Sequence, residues 1–289
     1  MSARQTPVMA PGKLLSPTDH NQVLSGFQYV YPVVSRRAGG VSVGVNLNLN
    51  NACNWRCRYC QVAGLQRGAP EATDVVQLER ELAALLTEIL HGNFMQQHVP
   101  AAMRQLRDIA LAGNGEPTLS KQFPQVIQAV LRQVEAFGLA GKIRLVVITN
   151  GSMLHRPAVQ AALRELGAAG GEAWVKIDRG SEAGVREVNQ VRQTPEQMRS
   201  KIERAAACCS VWVQTCMCCL DGAPPDEPAV TDYLNLLASL KGIRGVLLYG
   251  LARPPMLEEG RTVSAVTPAW MQQLAARIQA QGIRVERYD

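Results

Sequence analysis

Six times along this chain a short run of β-branched and aliphatic residues is followed by a segment with helical apolar spacing. Strands are read at 41–50, 108–112, 143–149, 173–177, 211–215 and 246–251. Helices are read at 74–90, 123–137, 157–166, 195–207, 226–240 and 268–281, with Thr73 or Asp74 as the cap of the first. Strict alternation of strand and helix predicts an α/β fold with a parallel sheet. A run at 283–287 adds a strand after the last helix. Phe27, Tyr29 and Tyr31 alternate ahead of the turn residues Arg36 to Gly40 and predict a hairpin leading into the first core strand. The expected organisation is an N-terminal arm and hairpin strand over 1–40, then one large α/β domain over 41–289. A chain of 289 residues, 47% hydrophobic and 19% charged, can bury a core of that size.

The first core strand is the most regular. Val41, Val43, Val45, Leu47 and Leu49 share one face; Ser42, Gly44, Asn46, Asn48 and Asn50 share the other. With helices on the apolar side, the polar side faces inward and implies a cavity, unlike the filled interior of a closed eight-stranded barrel.

Directly after this strand comes Cys53-Asn-Trp-Arg-Cys57-Arg-Tyr-Cys60, three thiols on one tight loop. Iron–sulfur clusters are normally closed by four cysteines, so three leave one iron open to a ligand. A zinc loop borrowing a fourth ligand is the alternative, but zinc sites pair C-x2-C motifs, and further cysteines come only after position 207. The C-x3-C-x2-C spacing, with Tyr59 before the last cysteine, resembles the cluster motif of the radical S-adenosylmethionine (SAM) superfamily. That resemblance implies a partial (βα)6 barrel and a [4Fe-4S] cluster held by Cys53, Cys57 and Cys60. It also implies that the open iron chelates SAM, with Tyr59 in the cofactor site, and that an electron from the cluster breaks a carbon–sulfur bond.

Ligands of parallel α/β folds bind at the carboxyl ends of strands. The second core strand ends in Gly113-Asn114-Gly115-Glu116-Pro117-Thr118. Alone this is an ordinary turn; here it is similar to the superfamily's Gly-Gly-Glu-Pro motif, with Asn114 in place of a glycine. The resemblance assigns Gly113, Asn114, Gly115 and Glu116 to the SAM amino group. Lys176 and Asp178, at the end of the fourth strand, either bind the ribose or carboxylate of SAM or pair with each other. Asn150 and Arg253 end their own strands and are read either as cofactor contacts or as turn and surface residues. His20, His91, His98 and His155 have no ligand spacing.

The other five cysteines lie at 208, 209, 216, 218 and 219. An extended chain from Cys209 to Cys216 spans about 23 Å at about 3.3 Å per residue. Cys208 and Cys209 therefore belong at the far end of the barrel, as small packing residues. Cys216, Cys218 and Cys219 belong at its mouth, with Cys216 sharing inward parity with Trp212 and Gln214. Three thiols suit a soft substrate, and trivalent arsenic takes three sulfurs in a pyramid. This resembles the radical-SAM 3-amino-3-carboxypropyl transferases of arsinothricin biosynthesis, which act on arsenite. The resemblance implies transfer of that group from SAM to arsenic held by Cys216, Cys218 and Cys219. Two alternatives stand beside it: a 5′-deoxyadenosyl-radical enzyme modifying an organic or RNA substrate, and a non-catalytic protein that stores or senses iron or zinc.

Composition narrows the partners. No run of 18 apolar residues suggests a membrane span, and residues 1–13 lack the apolar stretch of a secretory signal. Clustered cysteines read as metal chemistry in a reducing compartment, hence a cytoplasmic enzyme. A net charge of +6 is compatible with RNA, but the basic residues are dispersed. The resemblance implies a small-molecule substrate and an electron donor such as flavodoxin or ferredoxin. Tyr29, Tyr31, Arg36 and Arg37 are the expected lid.

Overall fold

The computed structural model describes residues 14–15, 26–35 and 37–288. The rest of the N-terminal arm, with His20 and Arg36, lies outside the described residues. The chain enters through β1 (Val30–Ser35) and β2 (Gly40–Val45), then the short strands β3 (Ala52–Cys53) and β4 (Gln66–Arg67). Next come α1 (Val75–Leu90), α2 (Phe94–His98), β5 (Leu106–Leu111), α3 (Phe123–Ala136), β6 (Arg144–Thr149), α4 (Pro157–Ala168) and β7 (Glu172–Lys176). The second half holds α5 (Glu182–Asn189), α6 (Pro195–Ala206), β8 (Ser210–Cys216), β9 (Cys218–Leu220) and α7 (Glu227–Ser239). The last elements are β10 (Ile243–Tyr249), β11 (Val263–Ala265), α8 (Pro268–Gln279) and β12 (Val285–Tyr288).

Eight strands form one curled, half-barrel sheet in the order β1-β2-β5-β6-β7-β8-β10-β12. Only β1 runs antiparallel, as the hairpin partner of β2; β12 joins β10 in parallel, as the expected extra strand. The six core strands are those read from the sequence. Helix starts are written locally. Proline occupies the first turn of α3, α4, α6, α7 and α8, where its missing N–H costs nothing. Asp74, Thr194, Asp226 and Thr267 cap α1, α6, α7 and α8 through their side-chain oxygens.

The outward faces of the strands, including Val43, Ile109, Val147, Val175 and Val213, pack with the helices in one large core. The inward faces form a separate cluster of Ala110, Val146, Trp174, Trp212 and Leu247. The barrel is therefore apolar at mid-height, and its polar groups sit at the two ends. Both indole N–H groups of the interior donate to Glu172, at 2.8 Å from Trp174 and 3.1 Å from Trp212.

One sequence expectation is corrected, and two elements went unpredicted. The first core strand ends at Val45 rather than at 50, although the alternation continues. Asn46 Oδ1 accepts from the backbone N–H groups of Asn48 and Asn114, and this local bonding replaces the sheet ladder. Helix α5 was not read, because Gly184 and a polar composition mask its short apolar stripe of Val185 and Val188. The β9–β11 ribbon, too short for periodicity, was also not read.

The hairpin residues expected at a lid are placed as follows. Tyr29 accepts from the N–H of Asp74 at the start of α1. Tyr31 donates to the carbonyl of Ala112 at 3.0 Å. Arg37, in the turn at the amino-terminal end of β2, enters the barrel, 4.0 Å over the Trp174 ring and 3.3 Å from the Tyr249 hydroxyl.

Candidate active site

Of the eight sequence-predicted cofactor residues, Gly113, Gly115, Glu116, Asn150 and Lys176 line one cavity at the carboxyl ends of the strands, while Tyr59, Asn114 and Asp178 lie outside its lining. That cavity, of about 170 Å³, is lined by Cys53, Trp55, Cys57, Gly113, Gly115, Glu116, Asn150 and Lys176, among others. The glycines are required by close approach: a Cβ at Gly113 would lie 2.2 Å from Asn46 Oδ1, and one at Gly115 would lie 2.0 Å from the Ala52 carbonyl. Asn46 and Asn48, expected to face a ligand, instead bind the two loops together. Asn48 Nδ2 donates to the carbonyls of Ala52 at 2.8 Å and Glu116 at 3.3 Å. Asn114 uses its side chain on Asn51, at 2.7 Å.

Glu116 is fully buried and heavily bonded. Its Oε1 accepts from Thr118 N, Thr118 Oγ1 and Thr149 Oγ1, and its Oε2 accepts from Asn150 N at 2.6 Å. Burial raises its pKa and those four donors oppose the rise. The carboxylate thus ties the loop after β5 to the end of β6. Asn150 carries the connection onward, donating to Asn54 of the cysteine loop at 2.9 Å.

Asp178 is a second hub. Its Oδ2 accepts from the Tyr59 hydroxyl at 2.5 Å and from Asn189 Nδ2 at 2.7 Å; its Oδ1 accepts from Cys216 N at 2.8 Å. These bonds take the place of a mutual Lys176–Asp178 ion pair. Lys176 Nζ lies 5.0 Å over the Tyr59 ring. Burial opposes its charge, but the negative charge around it, Asp178 foremost, outweighs that and holds its pKa up. Arg253 contributes its carbonyl, which accepts from Gln61 of the cysteine loop at 2.8 Å.

The cysteine loop is shaped to present sulfur. Trp55 N donates to Cys53 Sγ at 3.4 Å, and Asn189 Nδ2 donates to Cys57 Sγ at 3.3 Å. Burial pushes the Cys53 thiol up to about 12 and the Cys57 thiol up to about 11, and raises Cys60 as well. Thiols so desolvated stay protonated unless positive charge is brought to them, which is the condition a metal cluster meets.

The mouth cysteines divide. Cys216 and Cys218 pack with Trp55, Cys57 and Tyr59, beside the cysteine loop. Cys219 belongs to the large core, its Sγ 3.6 Å from the Ala265 carbonyl. Successive residues of a strand point to opposite faces, so the expected trio is a pair. Among the described residues no group of three or more His, Cys, Asp and Glu side chains is placed to hold a single ion. Cys208 and Cys209, before β8, pack at the edge of the large core as expected. His91 and His98 lie at helix ends, and the His155 ring is 3.0 Å from the Ser152 carbonyl.

Site residues that sequence reasoning missed include Asn189 and Lys201. Asn189 falls on the unread α5. Lys201 is 3% exposed on α6, in a stripe with Met198, Ile202 and Ala205. A lysine at an apolar position of that stripe was the available signal.

The family model of the radical SAM superfamily matches residues 47–234. Among solved structures, the fold is similar to a radical SAM methyltransferase from Sphaerobacter thermophilus, with TM-score 0.57, 14% identity, and 86% of this chain and 66% of that one covered. It is also similar to SuiB of Streptococcus suis bound to SAM, with TM-score 0.52, 11% identity, and coverage of 84% and 45%. At such identities the likeness concerns the fold. A UPF0026 protein of Helicobacter pylori is 27% identical over 135 residues, 46% of this chain and 38% of that protein. A UPF0026 protein of Synechocystis is 26% identical over 138 residues, 47% and 44%. The chain thus spans less than half the length of these curated relatives. The superfamily's cofactors are SAM and a [4Fe-4S] cluster, and the three desolvated thiols beside a glycine-walled cavity fit both. No helix among the described residues is long and apolar enough to cross a membrane. A family match over more than half of its length, carried on the fold and loop described above, shows that this chain belongs to the radical SAM superfamily.

Proposed function

We propose that this radical SAM enzyme transfers the 3-amino-3-carboxypropyl group of SAM to trivalent arsenic captured by Cys216 and Cys218. The observation that carries this reading is the packing of those two thiols against Trp55, Cys57 and Tyr59, beside the cluster loop. Soft thiolates select soft acceptors, and two sulfurs leave arsenic a third, exchangeable position. Cys53, Cys57 and Cys60 would hold the cluster, which when bound would supply one-electron chemistry at the sulfonium with no net change in its own charge, a flavodoxin- or ferredoxin-type donor setting its starting state. Gly113 to Glu116, Asn150 and Lys176 would line the SAM pocket, with Tyr59 and Asp178 bracing it.

The net transfer balances between the two substrates. The bond from sulfur to the aminocarboxypropyl carbon breaks, and methylthioadenosine leaves with that electron pair. The arsenic lone pair becomes the arsenic–carbon bond, arsenic passes from trivalent to pentavalent, and a hydroxyl proton goes to solvent; two waters then replace the Cys216 and Cys218 sulfurs on arsenic, return both thiols to their protonated form and release the product. A second reading, a 5′-deoxyadenosyl-radical enzyme acting on an organic or RNA substrate, is favoured by the aromatic interior at Trp174 and Trp212. Mass spectrometry of anaerobic reactions with SAM, reductant and arsenite distinguishes them. Methylthioadenosine with a carbon–arsenic product is expected. 5′-Deoxyadenosine without an arsenic product overturns the first reading in favour of the second.

A further inference from the structure

The Lys201 amino group lies where three separate pieces of the site meet; burial pulls its pKa down to about 7, against the opposing charges of Asp178 and Glu116. Its Nζ donates to the Asn150 carbonyl just past β6 at 3.1 Å and to the Lys176 carbonyl at the end of β7 at 2.8 Å. The third bond goes to Gln193 Oε1 at 2.8 Å, so each of the three N–H groups of an ammonium has one acceptor. The same Nζ lies 4.9 Å over the ring of Trp55, which stands in sequence between Cys53 and Cys57. Trp55, Asn150 and Lys176 all line the cavity that contains Cys53, Cys57 and Gly113.

The surroundings are built for this side chain. Gly151 has φ of +76°, and a Cβ there would lie 2.9 Å from Lys201 Cδ, so the glycine leaves the stem its channel. Burying an ammonium on the apolar stripe of α6 is costly, and a leucine would serve packing alone better. Three directed bonds and a cation–π contact are what a lysine adds there.

We propose that Lys201 is a positioning residue: it holds the ends of β6 and β7 and the Trp55 indole at fixed spacing, and so sets the width of the SAM cavity. The inference rests on the superfamily reading of this cavity and is independent of which group is transferred. Lys201 need not touch SAM; it acts through the three residues it holds.

The test uses the cluster-loaded protein with its full chain. Lys201→Met keeps the stem and removes the donors. SAM affinity by anaerobic equilibrium dialysis is expected to fall about tenfold or more, with iron content and thermal midpoint close to wild type. The change that SAM produces in the electron paramagnetic resonance (EPR) spectrum of the reduced cluster should be altered in shape, which a loss of packing alone would not do. SAM affinity within twofold of wild type, with an unaltered spectrum, overturns the proposal. If Lys201→Met does not fold, Lys201→Leu, which also removes every donor and suits the apolar stripe, is read in the same assays, and wild-type behaviour there overturns it equally. Met198→Leu on the same helix face is the packing control and should bind SAM normally; a matching loss there also overturns the proposal. Wild-type protein that binds no SAM would instead sink the cofactor reading itself.

Discussion

Replacing Glu116 separates a clamp from a simple ligand. Four protein donors converge on this buried carboxylate, two of them backbone N–H groups, of Thr118 and Asn150, that cannot turn away. The Thr118 and Thr149 hydroxyls can rotate to other acceptors, but the two amides cannot. Each buried donor left unfilled costs about 1–3 kcal/mol, so Glu116→Ala should destabilise by about 2–6 kcal/mol from the amides alone. The one lost methylene adds about 0.8 kcal/mol. Glu116→Gln keeps one acceptor oxygen. Whichever way the amide is turned, its NH2 faces one of those backbone N–H groups, so its cost should be about 1–3 kcal/mol. Urea unfolding of the iron-free chain at pH 7 measures both. The expected order is wild type, then Gln, then Ala. An Ala variant within about 0.5 kcal/mol of wild type would refute the clamp, as would a Gln variant no more stable than Ala.

Asn189→Ala removes the donor at 3.3 Å from Cys57 Sγ and should lower the cluster's reduction potential in an EPR-monitored redox titration; an unchanged or higher potential contradicts that role. Arsenite affinity should fall at least about tenfold in Cys216→Ser with Cys218→Ser, by the loss of both soft ligands. It should be unchanged in Cys219→Ser, whose sulfur faces Ala265; equal losses would restore the trio. In the iron-free chain, Cys53 and Cys57 are held at about 12 and about 11, above the roughly 8.5 of an unfolded cysteine. The unfolded state therefore loses protons first as pH rises above about 8.5. Stability is full below that pH and falls at up to about 1.4 kcal/mol per pH unit for each thiol. Thermal melts at pH 7.5 and 9.5 should show a steeper loss for wild type than for a Cys53→Ser, Cys57→Ser variant, and parallel losses would contradict the assignment.

The parallel sheet was legible because its strands are buried on the outer face by helices, which forces β-branched runs at 143–149 and 211–215. The cysteine loop and the Gly113–Glu116 turn were legible for a different reason: each is continuous in sequence, so its chemistry can be read without tertiary knowledge. What escaped reading is what tertiary packing decides. Asn46 and Asn48 follow the strand's alternation, yet bind loops together once the Gly113 turn comes close. Asp178 was read beside Lys176 by parity, but Tyr59 and Asn189 compete for its oxygens across 119 and 11 residues of sequence. Cys219 adjoins Cys218 in sequence and faces the opposite side of β9. Parity places Cys216 and Cys218 together, whereas counting cysteines placed three.

The central claim is that Cys53, Cys57 and Cys60 hold a [4Fe-4S] cluster with one iron open to SAM. EPR of the anaerobically reconstituted, dithionite-reduced protein, recorded with and without SAM, tests it most directly. The expected result is a reduced [4Fe-4S] signal that shifts on adding SAM and is lost in Cys57→Ala. A cluster signal indifferent to SAM, or a protein that takes up zinc and no cluster, would contradict it.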